Sequence, residues 1–263
     1  MKNVLVTGAC GGMGRAAVCA LAGEGCRVFA LDITPTAPEE NIIPLVADVT
    51  EEADIAAAVA RVSAITERID AILHFAGMYM LDSLVEMESE AFDRIFRVNL
   101  RGVFLVNRAF LPLLYPGSRI LITTSELAPL SPLPFTGIYA VSKGALDQYA
   151  FALRMELQLL GISVSVLRAG AVQTGMLHAS TVALEQFCSK TTLYRCNAAR
   201  FRQIVDRVEA RCIPSEKLAK KALRILRKKR PSFAYSINRN PLLRLFSAFP
   251  QRIQCRLIRR ILK

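Results

Sequence analysis

Apolar residues fall in short, unbroken blocks separated by segments of helical spacing. Residues 4–6, 27–31, 42–46, 71–75, 119–124 and 163–167 read as strands, with a last short one at 232–237. Residues 15–23, 51–67, 88–98, 102–114 and 137–160 carry helical periodicity, and Thr50 stands where the helix from 51 would take its N-cap. Strands alternating with helices predict βαβ units and a parallel sheet. Strands without polar alternation predict burial on both faces, so the chain reads as α/β with a doubly wound parallel sheet. In such sheets ligands bind at the carboxyl ends of the strands. Beyond residue 175 the pattern loosens into helix–loop–helix to 211, a helix from 214 to about 229, and a helical C-terminal extension, 241–263, broken at Pro250.

Composition refines this picture at two points. The 263 residues are 52% hydrophobic, enough for a large core within one domain spanning 1–263. Residues 200–263 hold 19 Lys and Arg against 3 acids, whereas 1–199 hold 15 against 19. The net charge of +12 therefore belongs to the C-terminal quarter and suggests a surface that meets something acidic. Seven scattered cysteines without a Cys-x-x-Cys pair speak against a disulfide framework or a zinc site, and no histidine or carboxylate pair has metal-ligand spacing. With no leader pattern at Met1-Lys2-Asn3 and no apolar run long enough to cross a bilayer, a cytoplasmic protein is expected.

Three signals carry chemistry. Thr7-Gly8-Ala9-Cys10-Gly11-Gly12-Met13-Gly14 lies between the first strand and first helix, where glycines admit a pyrophosphate close to the backbone and a helix N-terminus supplies amide donors. Asp32, followed by Ile33, ends the second strand, where a carboxylate accepts from ribose hydroxyls and repels a 2′-phosphate. No Lys or Arg lies within the loop or beside Asp32, which favours NAD(H) over NADP(H). Tyr139-Ala-Val-Ser-Lys143 places a phenol and an ammonium on one helix face, an arrangement expected to lower the tyrosine pKa toward neutrality for proton transfer. Ser125, ending the fifth strand, is placed to orient a substrate oxygen. Each signal has a plainer reading: a turn, a solvated aspartate, an exposed helix pair. A hydrolase reading of Ser125 lacks the Gly-x-Ser-x-Gly elbow.

Together these residues resemble the short-chain dehydrogenase/reductase family over almost the whole chain. The resemblance implies a Rossmann-like fold of about seven strands and a catalytic tetrad of Asn99, Ser125, Tyr139 and Lys143. It further implies cofactor contacts from Gly8, Gly12, Met13, Gly14, Asp32, Ile33, Asp48, Val49, Ala76, Gly77, Tyr139, Lys143, Val172 and Thr174. In the family's manner Asp48 would meet adenine, Asn99 would bend its helix and hold a relay water, Lys143 would hold the nicotinamide ribose, and Val172 and Thr174 would meet the carboxamide and pyrophosphate. Two departures stand out: His74-Phe75-Ala76-Gly77 replaces Asn-Asn-Ala-Gly, and Ala169-Gly170 replaces Pro-Gly. The first puts local rigidity in doubt, and the second should loosen the loop. His74 reads as a strand-end core residue. The C-terminal quarter resembles hydroxysteroid and retinol dehydrogenases through Pro214-Ser215-Glu216-Lys217-Leu218-Ala219, Lys229-Arg230-Pro231 and Leu242, Leu243 and Pro250.

The expected reaction is NAD-linked interconversion of a secondary alcohol and a ketone on a bulky apolar substrate, of steroid, retinoid or lipid type. The rival is a catalytically weak NAD(H)-binding regulatory or scaffolding protein of the same fold, motivated by Phe75 and the basic tail. Residues 175–211 should form a lid carrying Met176, Leu177, Val182, Leu184, Phe187, Leu193, Tyr194 and Phe201, with His178 lacking a clear role; most of these apolar residues would otherwise pack against the sheet. A dimer or tetramer through the 137–160 helix is what the family implies. On a helical wheel, Ile253, Leu257, Ile258, Ile261 and Leu262 gather opposite Arg252, Arg256, Arg259, Arg260 and Lys263, the latter between about 240° and 340°. Such a helix suits an anionic membrane surface, with docking on the protein itself as the alternative. Nucleic acid is not expected, because the interleaved aromatics of a stacking platform are missing.

Overall fold

The computed structural model describes residues 2–209 and 211–263, and side chains are described except at 176–179 and 206–209. Met176, Leu177 and His178 of the expected lid therefore lie outside the described residues.

Strands β1 (Asn3–Thr7), β2 (Arg27–Asp32), β3 (Ile42–Val46), β4 (Ala71–His74), β5 (Arg119–Ser125), β6 (Ser163–Ala169) and β9 (Ala234–Ile237) form one parallel sheet. Its order is β3-β2-β1-β4-β5-β6-β9. The reversal of direction between β1 and β4 is the switch point at which such sheets open a crevice. A two-residue parallel ribbon, β7 (Val172–Gln173) with β8 (Ile213–Pro214), adds a pairing that the hydrophobic pattern is too short to reveal.

Alternate side chains explain why the strands read as continuous apolar runs. Leu5, Phe29, Ile72, Ile120 and Val164 point into one core with α2 (Glu52–Ser63), α4 (Gly102–Phe110) and α5 (Gly137–Leu157). Val4, Val28, Leu73, Leu121 and Leu167 point into the opposite core with α1 (Gly12–Ala22) and α8 (Ser215–Leu226). A polar residue on either face would lose water without a partner.

Helix boundaries correct the sequence reading in two places. Helix α1 starts at Gly12, inside the glycine loop, so its first-turn amides face the crevice. Thr50 is not the cap of α2: Glu51 occupies that position, without a side-chain capping bond. Asp48 instead accepts from Thr50 N at 2.8 Å, forming a turn ahead of the helix.

Helix α3 (Ser89–Phe96) passes into α4 through a wide π-type turn, Arg97–Arg101, which swings Asn99 into the interior. Helices α6 (Gly175–Lys190) and α7 (Arg195–Glu209) contribute Ser180, Phe201, Ile204 and Val205 to a chamber that also includes Ser125 and Ala169 at the ends of β5 and β6. Leu184, Phe187 and Phe201 do not line the sheet: they bury against Phe135 and Leu81, with Tyr194 half-buried beside them. Val182 and Leu193 stay exposed.

The tail forms α9 (Pro241–Ala248) and α10 (Gln251–Leu262). Leu262 and Gln254 are buried, and Leu257 and Ile258 are half-buried, with Ile258 and Leu262 joining the Phe135 cluster. Asn197 Nδ2 donates to Leu262 O at 2.7 Å. Of the apolar face assigned to a lipid surface, only Ile253, 39% exposed, and Ile261, 48% exposed, are left outside. The face docks on α7 and the Phe135 cluster, because Phe187 and Phe201 need apolar cover that the sheet does not supply.

Candidate active site

Two cavities open at the carboxyl ends of the strands and share Met13, Tyr79 and Thr174. The larger, about 710 Å³, is the crevice at the switch point. Gly8, Gly12, Met13, Gly14, Asp32, Ile33, Asp48, Val49, Ala76, Gly77 and Thr174 all line it, together with Cys10, Met78 and Val98. Close approach dictates glycine here. Gly8 has φ +67°, and a Cβ on it would lie 2.4 Å from Ala76 N; a Cβ on Gly14 would lie 2.0 Å from Gly8 O. The Asp32 carboxylate is aimed by two backbone donors, Cys10 N at 2.9 Å and Thr34 N at 3.0 Å. Each oxygen keeps a lone pair for a further donor. No Lys or Arg lines this crevice among the described residues, and Arg15, just beyond the loop, is paired with Glu39 at 2.5 Å. A glycine cradle, helix amides and an aimed carboxylate in one groove fit a dinucleotide.

The smaller cavity, about 220 Å³, is lined by Ser125, Tyr139, Val172, Phe201 and Leu243 among others. Val172 thus belongs to this chamber, not to the crevice. Ser125 ends β5, Tyr139 lies in the first turn of α5, and the Ser125 hydroxyl is near enough to the phenol to oppose the rise of its pKa. Asn99 and Lys143 line neither cavity; they stand behind them. A Cβ placed on Gly77 would lie 3.2 Å from both Asn99 Oδ1 and Lys143 Nζ, so the two groups converge at the crevice wall. Asn99 accepts from Met78 N at 2.8 Å and donates to Met78 O at 3.0 Å and Ser142 Oγ at 3.1 Å; Ser142 in turn donates to Tyr139 O at 2.8 Å. Ser142 thereby links Asn99 to the first turns of α5.

The pKa expected of Tyr139 is corrected. Burial pushes its phenol up, not toward neutrality; Tyr79 adds to the rise, and the Ser125 hydroxyl opposes it. Lys143 Nζ is 5.9 Å from the Tyr139 ring centroid, and burial itself pulls this ammonium down to about 8. Desolvation penalises both charged forms and is the largest cause of each shift.

Neither sequence departure leaves the site loose. Phe75 offers no side-chain hydrogen bond, but its N–H donates to Thr7 O at 3.0 Å, and Asn99 clamps Met78 from both sides. The Ala169-Gly170 loop is tied to β9 through Gly170 N donating to Ile237 O at 2.9 Å. His74 is buried and bonded to Asn107 Oδ1 at 2.9 Å. Sequence reasoning missed Tyr79 and Glu126, which carry no motif spacing, and read Leu243 only as part of the tail pattern; the three line one chamber only in the folded chain.

A crevice at the switch point of a parallel sheet, joined to a chamber holding a Ser–Tyr pair backed by lysine, defines an alcohol/ketone-type oxidoreductase site. The profile of the short chain dehydrogenase family matches residues 2–184, and the chain belongs to that family. It is 31% identical over 186 residues to versicolorin reductase 1 of Dothistroma septosporum, covering 66% of this chain and 71% of that protein. It is likewise 31% identical over 186 residues to cyclopentanol dehydrogenase of Comamonas testosteroni, covering 66% and 74%. In fold it is similar to a 3-ketoacyl-(acyl-carrier-protein) reductase from Brucella melitensis complexed with NADH, with a TM-score of 0.72 and 22% identity over 90% of this chain and 96% of that one.

Proposed function

We propose that the protein interconverts a secondary alcohol and a ketone on a bulky apolar substrate, with NAD(H) favoured over NADP(H). The carrying observation is that Ser125 and Tyr139 line one apolar chamber that shares Met13, Tyr79 and Thr174 with the glycine-lined crevice. The dinucleotide, when bound along Gly8–Gly14 and Asp32, supplies the hydride acceptor or donor. Ser125 holds the substrate oxygen. Tyr139 takes the proton from the alcohol, or gives it to the ketone, at its phenolic oxygen. Lys143 favours the phenolate when charged, and Asn99 fixes the Met78 segment and, through Ser142, the first turns of α5. The absence of a cation from the described crevice lining, with Arg15 neutralised by Glu39, supports the preference for the non-phosphorylated cofactor.

The test is Tyr139→Phe assayed on a panel of cyclic and lipid-like secondary alcohols. Loss of roughly 10²- to 10⁴-fold in kcat/KM is expected; wild-type turnover would sink the assignment. A preference for NADP above about tenfold would contradict the role of Asp32. The hydroxysteroid and retinol resemblance rests on the C-terminal quarter and supports a bulky ring substrate; the named relatives, a versicolorin reductase and a cyclopentanol dehydrogenase, point to ring substrates more generally. Exposed Val141, Phe151 and Met155 on α5, with Phe104 on α4, support self-association through this face. The packing of α10 favours internal docking over a membrane.

A further inference from the structure

The smaller chamber is apolar over most of its wall, with Leu127, Leu133, Val172, Phe201, Ile204 and Leu243 among its lining residues. Among the described residues, Glu126 is the only charged side chain that lines it. It follows Ser125 directly at the end of β5, and its backbone N–H donates to Ala169 O at 2.8 Å, which fixes its direction between β5 and β6. The residue is buried. Its Oε2 accepts from Asn240 N at 2.6 Å, where the tail begins. Its Oε1 has no hydrogen-bond partner among the described residues and is not fully occluded. That oxygen sits beside Gly170, another residue of the chamber wall: a Cβ on Gly170 would lie 3.0 Å from it. No salt bridge to Glu126 forms among the described residues, and Arg239, the nearby cation, is exposed. A carboxyl group kept in an apolar wall with one oxygen unsatisfied is costly unless something bound there completes it.

We propose that Glu126 is a specificity-determining residue whose Oε1 accepts a hydrogen bond from a second polar group of the substrate, so that the substrate is an apolar ring alcohol carrying a further donor, hydroxyl or ammonium, away from the reacting carbon. This inference rests on the oxidoreductase reading for the identity of the chamber. The physics is that of any buried acceptor: a ligand with the donor satisfies it, a ligand without the donor strands it, and an anionic ligand is repelled. Ser125 and Glu126, adjacent in sequence, would then read two different groups of one molecule, the first the reacting oxygen and the second the distal donor. The raised pKa of Glu126, caused by burial and opposed by the Asn240 N–H and by Arg239, agrees with a carboxyl group whose burial those partners offset only in part.

The experiment uses four bicyclic secondary alcohols identical except at the far ring, which is unsubstituted or bears a hydroxyl, an ammonium or a carboxylate. Each is assayed for oxidation with saturating NAD, and its binding to the NADH-loaded protein is measured by calorimetry. In the wild type the hydroxyl- and ammonium-bearing rings should exceed the unsubstituted ring by roughly 10- to 100-fold in kcat/KM or affinity, with the carboxylate weakest. Glu126→Gln keeps an acceptor for Asn240 N but removes the charge, and should bring the ammonium and carboxylate rings to within about threefold of each other. Glu126→Leu should remove the hydroxyl preference as well. Ratios within one variant cancel any general loss from a disturbed tail anchor; a uniform change across all four rings would therefore mark Glu126 as structural and overturn the proposal. Equal or absent binding of the four rings to the wild type would also overturn it. Preserved binding preference without turnover would sink the oxidoreductase reading instead.

Discussion

The rings of Tyr79 and Tyr139 lie with centroids 4.9 Å apart at 55°, so a residue outside any motif packs on the Tyr139 phenol. Tyr79 lines both cavities and stands where the crevice meets the chamber. It also raises the Tyr139 pKa. Tyr79→Phe should keep the ring packing and move the alkaline-side activation of alcohol oxidation to lower pH. Tyr79→Ala should cost more, roughly tenfold or above in kcat/KM, through lost orientation. A pH profile unchanged in Tyr79→Phe would remove Tyr79 from the electrostatics of the site.

Lys143 is buried, and its ammonium titrates at about 8 against an ordinary 10.5. A lysine depressed in the folded state binds fewer protons there than in the unfolded chain between these values, so stability rises as pH climbs from about 8 to 10.5. Below that window the folded ligand-free protein carries a penalty of about 3 kcal/mol from this residue. Lys143→Met should therefore raise Tm at pH 7 and flatten the rise with pH, while abolishing most turnover. Equilibrium denaturation at pH 7 and pH 10 checks this; a destabilised variant at pH 7 would show that Lys143 is held by partners stronger than its 3.5 Å contact with Thr123 O.

His74 is held neutral by burial, with its pKa pulled down to about 4 against 6.5. The unfolded chain takes up a proton first as pH falls, so stability is lost between about 6.5 and 4, by roughly 3 kcal/mol in all. His74→Asn should blunt this acid-side loss. Urea midpoints at pH 7 and 4.5 should differ less in the variant than in the wild type.

Glu86 ties down the turn between α6 and α7: it accepts from Thr191 Oγ1 at 2.7 Å, Thr192 N at 2.8 Å, Thr192 Oγ1 at 3.0 Å and Leu193 N at 3.0 Å. These bonds hold its carboxyl down at about 2, so the tie is complete above about 4.5 and released as pH falls toward 2. Glu86→Ala should speed hydrogen exchange at the amides of 192 and 193 by roughly tenfold and raise KM for bulky alcohols more than it lowers kcat. Unchanged exchange at these amides would mean that α6 and α7 are held by the Phe135 cluster alone.

The parallel sheet was legible because its strands carry no polar alternation: Leu5 and Val6 face opposite cores, and both must be apolar. The crevice was legible for a related reason. Gly8 and Gly14 have no room for a Cβ, and Asp32 stands where a strand ends, so position along the chain already fixes what those residues can do. Tyr139 and Lys143 were legible as a helical pair, but the sign of the tyrosine shift was not. Spacing records that two groups share a face, whereas desolvation depends on everything packed around them.

The sequence by itself determined the order of elements, the dinucleotide-type loop, and a basic amphipathic end to the chain. Tertiary structure alone decided what that end does: Leu257, Ile258 and Leu262 turn inward because Phe187 and Phe201 need cover, and an amphipathic pattern specifies an apolar partner without specifying which one. It alone brought Tyr79 against Tyr139 and Leu243 into the chamber, across separations that no local period encodes. It also gave Glu126 its meaning, since a glutamate beside a strand end is ordinary in sequence. It becomes chemically significant only where folding has removed water and left one of its oxygens facing a cavity.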